Sequence, residues 1–454
     1  MMARRSVLVA LLWLAVVVAG VDFVRELVPA FSRPSHGFVA YYTASRLLAA
    51  GADPALNYDV DWFIAQIARF QPDASDVHIN PPPTNVLLLP LVGLDYVGAR
   101  RVWSTLSLLT MLLVVGWWLW RWNWRGAWMP AFLLLTLLFQ PIRANFHLGQ
   151  IYVLLLGLFT AAWVAYRQWR AGWLGALLAV AGVMKLAGAF VWLLLLCQRR
   201  WRALLAGGVA AVVLLLLTWP GWPAWEAFLT LLRGLSQQPE RAVTAYQTWL
   251  SWTRHLFTAD AQWNPLPVAR LPQLGNALYL AGAGLLVGVT AWFAWKMPAS
   301  PTKAAREITD QDLLFAAGVI LGLILSPLAL DYHYALLLLP AFILCQWARQ
   351  QSDWRVWLLL LLALILIAAD LPYRSPRLAA GWWALLAYPK LVGGLLLWAL
   401  CLQQSTESRP LPPVNDQPPT ANRQRPTTNH QATVRKQLRT FLRMVTDRLP
   451  AHFR

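Results

Sequence analysis

The chain has 454 residues, of which 58% are apolar and only 13% charged, and it carries a net charge of +18. A soluble chain of this length would divide into about three domains. Runs such as Leu358 to Ile367 hold more hydrocarbon than an ordinary soluble core can cover, so the composition specifies an all-α, polytopic integral membrane protein. The positive charge flanks the apolar runs and fills the tail without interleaved aromatics, which excludes nucleic acid as a partner and points to inner-leaflet loops and anionic lipid. Cys197, Cys345 and Cys401 lie in or at the end of apolar runs and offer neither a disulfide framework nor metal spacing.

In chain order, Arg4 and Arg5 precede the run Val7 to Val21, which is predicted as a retained first span starting in the cytoplasm: no small-residue cleavage site follows it, and Asp22 does. Residues 22–101 then form a first large outer loop. Phe38, Tyr41, Tyr42, Ser45 and Leu48 recur at helical spacing, as do Trp62, Ile64, Ile67 and Phe70, which predicts two amphipathic helices on the membrane surface. The run Asn85 to Val92 after Pro81-Pro82-Pro83 is too short to cross a bilayer.

Lys and Arg positions set the sides of the remaining spans. Val102 to Trp120 runs inward to Arg121 and Arg125, Trp128 to Gln140 runs out, and Ile151 to Tyr166 returns to Arg167 and Arg170. The run Trp173 to Cys197 is interrupted by Lys185 and ends in Arg199-Arg200-Trp201-Arg202. As one crossing it would strand those arginines outside, so two short helices meeting at Lys185 on the outer side are expected. Ala203 to Trp219 goes out to a second large outer loop, residues 220–275, and Asn276 to Trp295 returns. Leu313 to Ile324 leads out to a turn holding Asp331 and His333, Ala335 to Trp347 comes back, Val356 to Ala369 goes out, and a last segment between Gly381 and Leu402 comes in. The total is about twelve crossings with both termini cytoplasmic. Residues 1–402 are thus the membrane domain, and 403–454 a tail rich in Pro, Gln, Thr and Asn, expected to be disordered except for a basic amphipathic helix over 434–449 on the inner leaflet.

This layout, fixed by basic residues alone, gathers Asp22, His36, Arg143, Asn145, His147, Gln150, Lys185, Asp331 and His333 on the outer side. A one-sided polar cluster over an apolar body suits an enzyme that draws an amphipathic lipid from the bilayer; a channel would need polar groups through the full depth. His333 can take a proton near neutrality.

Several segments then carry a resemblance: Gly37-Phe38-Val39-Ala40-Tyr41-Tyr42-Thr43-Ala44-Ser45, the Pro81-Pro82-Pro83 run, Phe146-His147-Leu148-Gly149-Gln150-Ile151-Tyr152, Met184-Lys185, and Ser326-Pro327 with His333-Tyr334. In that order, over Val7 to Leu402, the chain resembles glycosyltransferase family 87, membrane enzymes of the GT-C fold similar to polyprenyl-phosphate-mannose-dependent α-mannosyltransferases. The resemblance implies inverting transfer of a hexose, mannose first, from a polyprenyl-phosphate donor to a glycan or glycolipid acceptor on the outer face of the plasma membrane. The donor is a substrate, and no cofactor is implied.

Such a displacement needs a base, a cation for the departing phosphate and a wall that positions the sugar. His333 is the expected base, oriented by Asp331 or Asp22. Lys185 and then Arg143, with His147 and Gln150, are the expected phosphate partners, and Tyr41, Tyr42 and His36 the wall. One departure stands out: where the family usually has an acid before the Phe-x-x-Tyr stretch, this chain has Gly37, beside His36, so that Asp22 either replaces it or merely anchors the first helix. Asp59-Val60-Asp61 has the look of a metal-binding acid pair, but a lipid-phosphate donor needs no metal and none is expected. Two other classes remain open: a translocase for lipid-linked saccharides, and a catalytically degenerate member that only binds.

Overall fold

The computed structural model describes residues 2–238, 243–297, 307–351 and 353–403, with the side chains of 2–5 left aside. Among the described residues the fold is all-helical, and its extended pairing is limited to an isolated bridge between Asp260 and Asn264. The amphipathic helix expected over 434–449 lies outside the described residues.

Helix α1 (Met2–Ala30) does not stop at Val21 as expected. Nothing in the sequence after Asp22 breaks a helix before Pro29, and Asp22 and Glu26, one turn apart, share the guanidinium of Arg143, each at 2.8 Å. Helix α2 (His36–Ala49) is the main correction to the sequence reading: it is buried on every side and does not lie on a membrane surface. Its polar groups are bonded inside the protein, Tyr41 to Gln150, Tyr42 to the Leu94 carbonyl and Ser45 to the Asn85 carbonyl, so its polar side is not a wet side. Helix α3 (Val60–Phe70) does keep one buried face, Phe63, Gln66 and Ile67, and Asp59 caps it by accepting the Trp62 N–H at 3.0 Å. Asp59-Val60-Asp61 therefore reads as a helix start.

After short 3-10 turns through the Pro-rich run comes α4 (Tyr96–Arg121), capped by Asp95. Helices α5 (Trp128–Leu138) and α6 (Gln140–Leu148) meet at a 44° bend where Pro141 opens α6. Then follow α7 (Tyr152–Arg167), α8 (Ala171–Lys185), α9 (Ala189–Cys197) and α10 (Trp201–Leu217). The interruption expected at Lys185 is present: α8 ends there. The segment after α10 holds α11 (Trp222–Gln237) and α12 (Trp249–Phe257), and α13 (Pro272–Lys296) follows.

Helices α14 (Asp310–Ile324) and α15 (Leu338–Ala348) form the centre, buried almost residue by residue, and α16 (Trp354–Ala368) and α17 (Pro389–Gln403) close one side. The lower end of this centre is fixed by a polar lock. Asp312 accepts from Trp163 Nε1, from the Thr309 N–H and from the Thr309 hydroxyl, each at 2.8 Å, and is ion-paired to Arg167 on α7. With both carboxylate oxygens hydrogen-bonded and an arginine beside it, this fully buried acid is compensated, and it ties α7 to the start of α14.

Among the described residues three helices are long and apolar enough to cross a bilayer, the stretch Ser6–Ala30 within α1, together with α4 and α13; the number rises to six if each bent pair is one span. The outward faces of these helices carry exposed apolar side chains such as Leu113, Leu216 and Leu280. That pattern is a surface solvated by lipid rather than water.

Candidate active site

The site is built on the break between α8 and α9. Leu186 at φ 51° and Gly188 at φ 93° both take the left-handed conformation, which reverses the chain within a few residues and leaves Lys185 at the end of α8 facing inward. Its Nζ donates to Asn80 Oδ1 and, at 3.2 Å, to the Tyr41 hydroxyl, and it sits over the rings of Tyr41 and Tyr152. All of these partners are neutral. Among the described residues Lys185 forms no ion pair within 4.0 Å.

Tyr41 is held in turn by Gln150, whose Oε1 accepts its hydroxyl proton at 2.9 Å. The Phe146–Gln150 motif explains how Gln150 gets there. Helix α6 stops at Gly149 with φ 68°, and a Cβ at that position would lie 1.8 Å from Arg100 Nη1. Arg100 donates to the carbonyls of Phe146 at 2.6 Å and His147 at 3.1 Å, and Trp103 Nε1 donates to that of Gly149 at 2.9 Å. The buried guanidinium thus satisfies the last carbonyls of α6 and aims Gln150 at Tyr41.

His333 lies in the 3-10 turn Asp331–Leu337, its ring packed between Tyr332 and Tyr152 at centroid distances of 4.4 and 4.3 Å. Its Nδ1 accepts the Leu330 N–H at 3.0 Å. That bond uses the Nδ1 lone pair, so the neutral ring carries its hydrogen on Nε2 and presents a donor to its surroundings. The expectation that His333 takes a proton is corrected on this ground. Asp331 does not orient it either, being bonded to Tyr373 and, at 2.7 Å, to Arg374.

Lys185 and His333 line one end of a cavity of about 330 Å³ between α9 and α14. Away from those two heads the walls are apolar, with Phe159, Phe190, Val319, Leu323 and Leu336 among them. The shape is that of an amphipathic site: a cation and an N–H donor at one end, hydrocarbon along the rest.

The sequence reading missed two members of this cluster, Asn80 and Asp76. Asp76 stands in the loop between α3 and the Pro-rich turns, with its Oδ1 accepting the Val77 N–H at 2.8 Å. Burial raises its carboxyl to about 6, an effect only partly offset by that N–H and by the nearby charges of Lys185 and His36. His36 in turn bonds to the carbonyl of Ser75, tethering the loop to the start of α2. The same geometry accounts for Gly37. A Cβ there would lie 2.4 Å from Gln150 Nε2 and 2.6 Å from the Leu148 carbonyl oxygen, so the helix position has no room for an acid, and the loop beside it carries one instead. Asp73 and Asp76, two acids just ahead of the Pro-rich run, were the available signal.

Other expected site residues stand elsewhere. Arg143, paired with Asp22 and Glu26, lines a second cavity of about 730 Å³ together with His147, Asp331 and Tyr332, not the one that holds Lys185. Asp22 is 57% exposed and is paired with Arg143, while the His333 Nδ1 is bonded to the Leu330 N–H instead. Tyr42 is structural, donating to the Leu94 carbonyl at 2.7 Å while accepting from Arg46 at 3.0 Å. The structure therefore unites Lys185, His333, Tyr41 and Gln150 with His36 at the rim, and leaves Arg143, His147 and Asp331 around the neighbouring cavity, with Asp22 paired to Arg143.

The family model of glycosyltransferase family 87 matches residues 78–327, more than half of the chain, beginning just after Asp76 and ending just before His333. No curated protein and no solved structure matches.

Proposed function

From the premise that this chain belongs to glycosyltransferase family 87, whose members are membrane glycosyltransferases, we propose that it transfers a hexose, mannose first, from a polyprenyl phosphate to a hydroxyl of a glycan or glycolipid, with inversion. The observation that carries the reading is the apolar groove headed by Lys185 and His333, which fits a prenyl chain below and a phosphate above. The acceptor oxygen attacks the anomeric carbon as the bond to the phosphate oxygen breaks, and the electron pair of that bond stays on the phosphate. Lys185 neutralises the growing charge, and the His333 Nε2–H donates to it. The hydroxyl proton passes to Asp76, a carboxylate basic enough to accept it and still ionised at neutral pH. Tyr41, fixed between Lys185 and Gln150, walls the sugar.

The proposal includes a GT-C fold, cytoplasmic termini and an outward-facing site. It also includes the layout of about twelve crossings, which requires the apolar helices α7, α8 and α16, of 15 or 16 residues, to act as spans. The test is transfer by the purified full chain in nanodiscs, supplied with radiolabelled polyprenyl phosphomannose and a cell-envelope lipid extract. Consumption of the donor with release of polyprenyl phosphate is expected. Label transfer from nucleotide hexoses, with polyprenyl phosphohexoses left intact, would overturn the reading.

A further inference from the structure

The end of α8 away from Lys185 carries a cationic pocket that the transfer reading does not use. Helix α8 starts at Ala171 and is 15 residues long, so about 22 Å of helix separates the pocket from Lys185. Two turns build it, residues 168–170 between α7 and α8 and residues 198–200 between α9 and α10, and they share one design. In each the middle residue is left-handed, Trp169 at φ 57° and Arg199 at φ 55°. The N–H of the next residue reaches back five positions, from Arg170 to the Ala165 carbonyl at 3.0 Å and from Arg200 to the Leu195 carbonyl at 2.9 Å. Helices α8 and α10 pack closely enough to bring the turns together, since a Cβ at Gly175 would lie 2.5 Å from the Gly207 nitrogen. Between the turns is a cavity of about 440 Å³ whose walls include Trp169, Leu174, Arg199, Arg200, Trp201 and Arg202, and among the described residues no acid lines it.

We infer that this pocket binds the phosphate of an anionic membrane phospholipid. Three observations carry it. First, Arg200 is a built-in cation without a counter-ion. It is 8% exposed, and its guanidinium lies 3.8 Å from the Tyr166 ring centroid and 4.4 Å from that of Trp169. Its Nη1 donates to the Tyr166 carbonyl at 3.0 Å and its Nη2 to Gln311 Oε1 at 2.9 Å, both neutral acceptors. Among the described residues its Nε has no hydrogen-bond partner and no acid stands within 4.0 Å of it, while the nearby Asp312 is paired with Arg167. A guanidinium does not shed its proton, so an anion from outside the fold is what would match the charge. Second, Arg199 and Arg202 are exposed, form no ion pair among the described residues and bring the pocket to three arginines. A zwitterionic head would set its own cation against them, whereas an anionic head answers the excess. Third, hydrocarbon runs away from the pocket along one face of α10, where Trp201, Leu205 and Val209, four residues apart, are all exposed. A free phosphate leaves that stripe unused; an acyl chain lies along it while the phosphate sits among the arginines. Bound in this way, the lipid ties the α7–α8 turn to the α9–α10 turn.

The test titrates the purified full chain in detergent with phosphatidylglycerol, phosphatidylcholine or glycerol 3-phosphate, counting bound lipid by native mass spectrometry and reading stability as the thermal midpoint. Phosphatidylglycerol is expected to fill one tight site, to bind there at least about tenfold better than phosphatidylcholine, and to raise the midpoint. Arg199→Gln/Arg202→Gln should weaken that binding at least about tenfold, and Arg202→Gln alone, at the exposed rim, about fivefold, so the result does not depend on the double variant folding. Arg125→Gln/Arg355→Gln, which removes two exposed arginines outside the pocket, should keep the affinity within about twofold. An equal loss in the two double variants, or equal binding of the two lipids, would overturn the inference by showing diffuse attraction in place of a site. Displacement of the lipid by glycerol 3-phosphate at matched concentration would overturn it too, assigning the pocket to a soluble phosphate. Because the pocket stands at the far end of α8 from Lys185, either failure leaves the glycosyltransferase reading in place.

Discussion

Two partly buried cations of this protein, Arg167 and Lys185, are held in opposite ways. Arg167 is paired with Asp312, which also accepts three further hydrogen bonds, so that the charge on each side is matched within the fold. Lys185 has neutral partners, Asn80 and Tyr41, and its nearest acid, Asp76, stays beyond ion-pair distance. A compensated charge fastens helices together. One bonded only to neutral groups, at the end of an apolar cavity, is on the proposed reading the charge that a departing phosphate would meet. If that contrast is sound, mutating the first should cost stability and mutating the second should cost turnover.

The largest effect is expected at Asp76. Asp76→Asn should lower kcat by about 10² to 10⁴, the usual worth of a positioned base, in the nanodisc assay with polyprenyl phosphomannose, while expression and donor binding persist. The same residue sets a pH signature. Because the carboxyl is raised to about 6 and only its ionised form accepts a proton, kcat/KM should fall as pH drops below that value, and the acid limb should vanish in Asp76→Asn. Limbs that stayed identical in the two proteins would remove Asp76 from the chemistry.

On the other side of the comparison, Asp312→Ala leaves Arg167 without its buried partner and should destabilise the fold by about 3–5 kcal/mol. A thermal unfolding series in one detergent reads this directly. An unshifted midpoint would show that the lock is not structural. His333→Gln should lose about 1.5–3 kcal/mol of transition-state stabilisation, the value of a hydrogen bond to a charged group, yet keep the wild-type acid limb. Loss of that limb in the glutamine variant would restore the imidazole as the base.

The smallest change is expected from Gly37→Asp, which puts an acid at the helix position where the resemblance led one to be expected. Its Cβ would press on the Leu148 carbonyl, so the variant should lose about 1–3 kcal/mol of stability from overpacking rather than gain activity. A more active Gly37→Asp protein would mean that the site has room for an acid there and that Asp76 does not fill the role.

The sequence by itself determined the all-helical membrane class and the helix break at Lys185. Each follows from a local rule: apolar run length, the side on which arginines fall, and the cost of a polar group inside hydrocarbon. The burial of α2 was not legible, because hydroxyls that would mark a wet face are satisfied by Gln150 and by the Leu94 and Asn85 carbonyls, far away in the chain. Nor was the division of the polar residues into two cavities. All were expected to face one side, and only the packing of α1 against α5 and α6 drew Asp22 and Arg143 away from Lys185. The proton on Nε2 of His333 and the raised carboxyl of Asp76 are likewise tertiary facts. A ring nitrogen's role depends on the backbone N–H it meets, and an acid's affinity for its proton on the water it has lost.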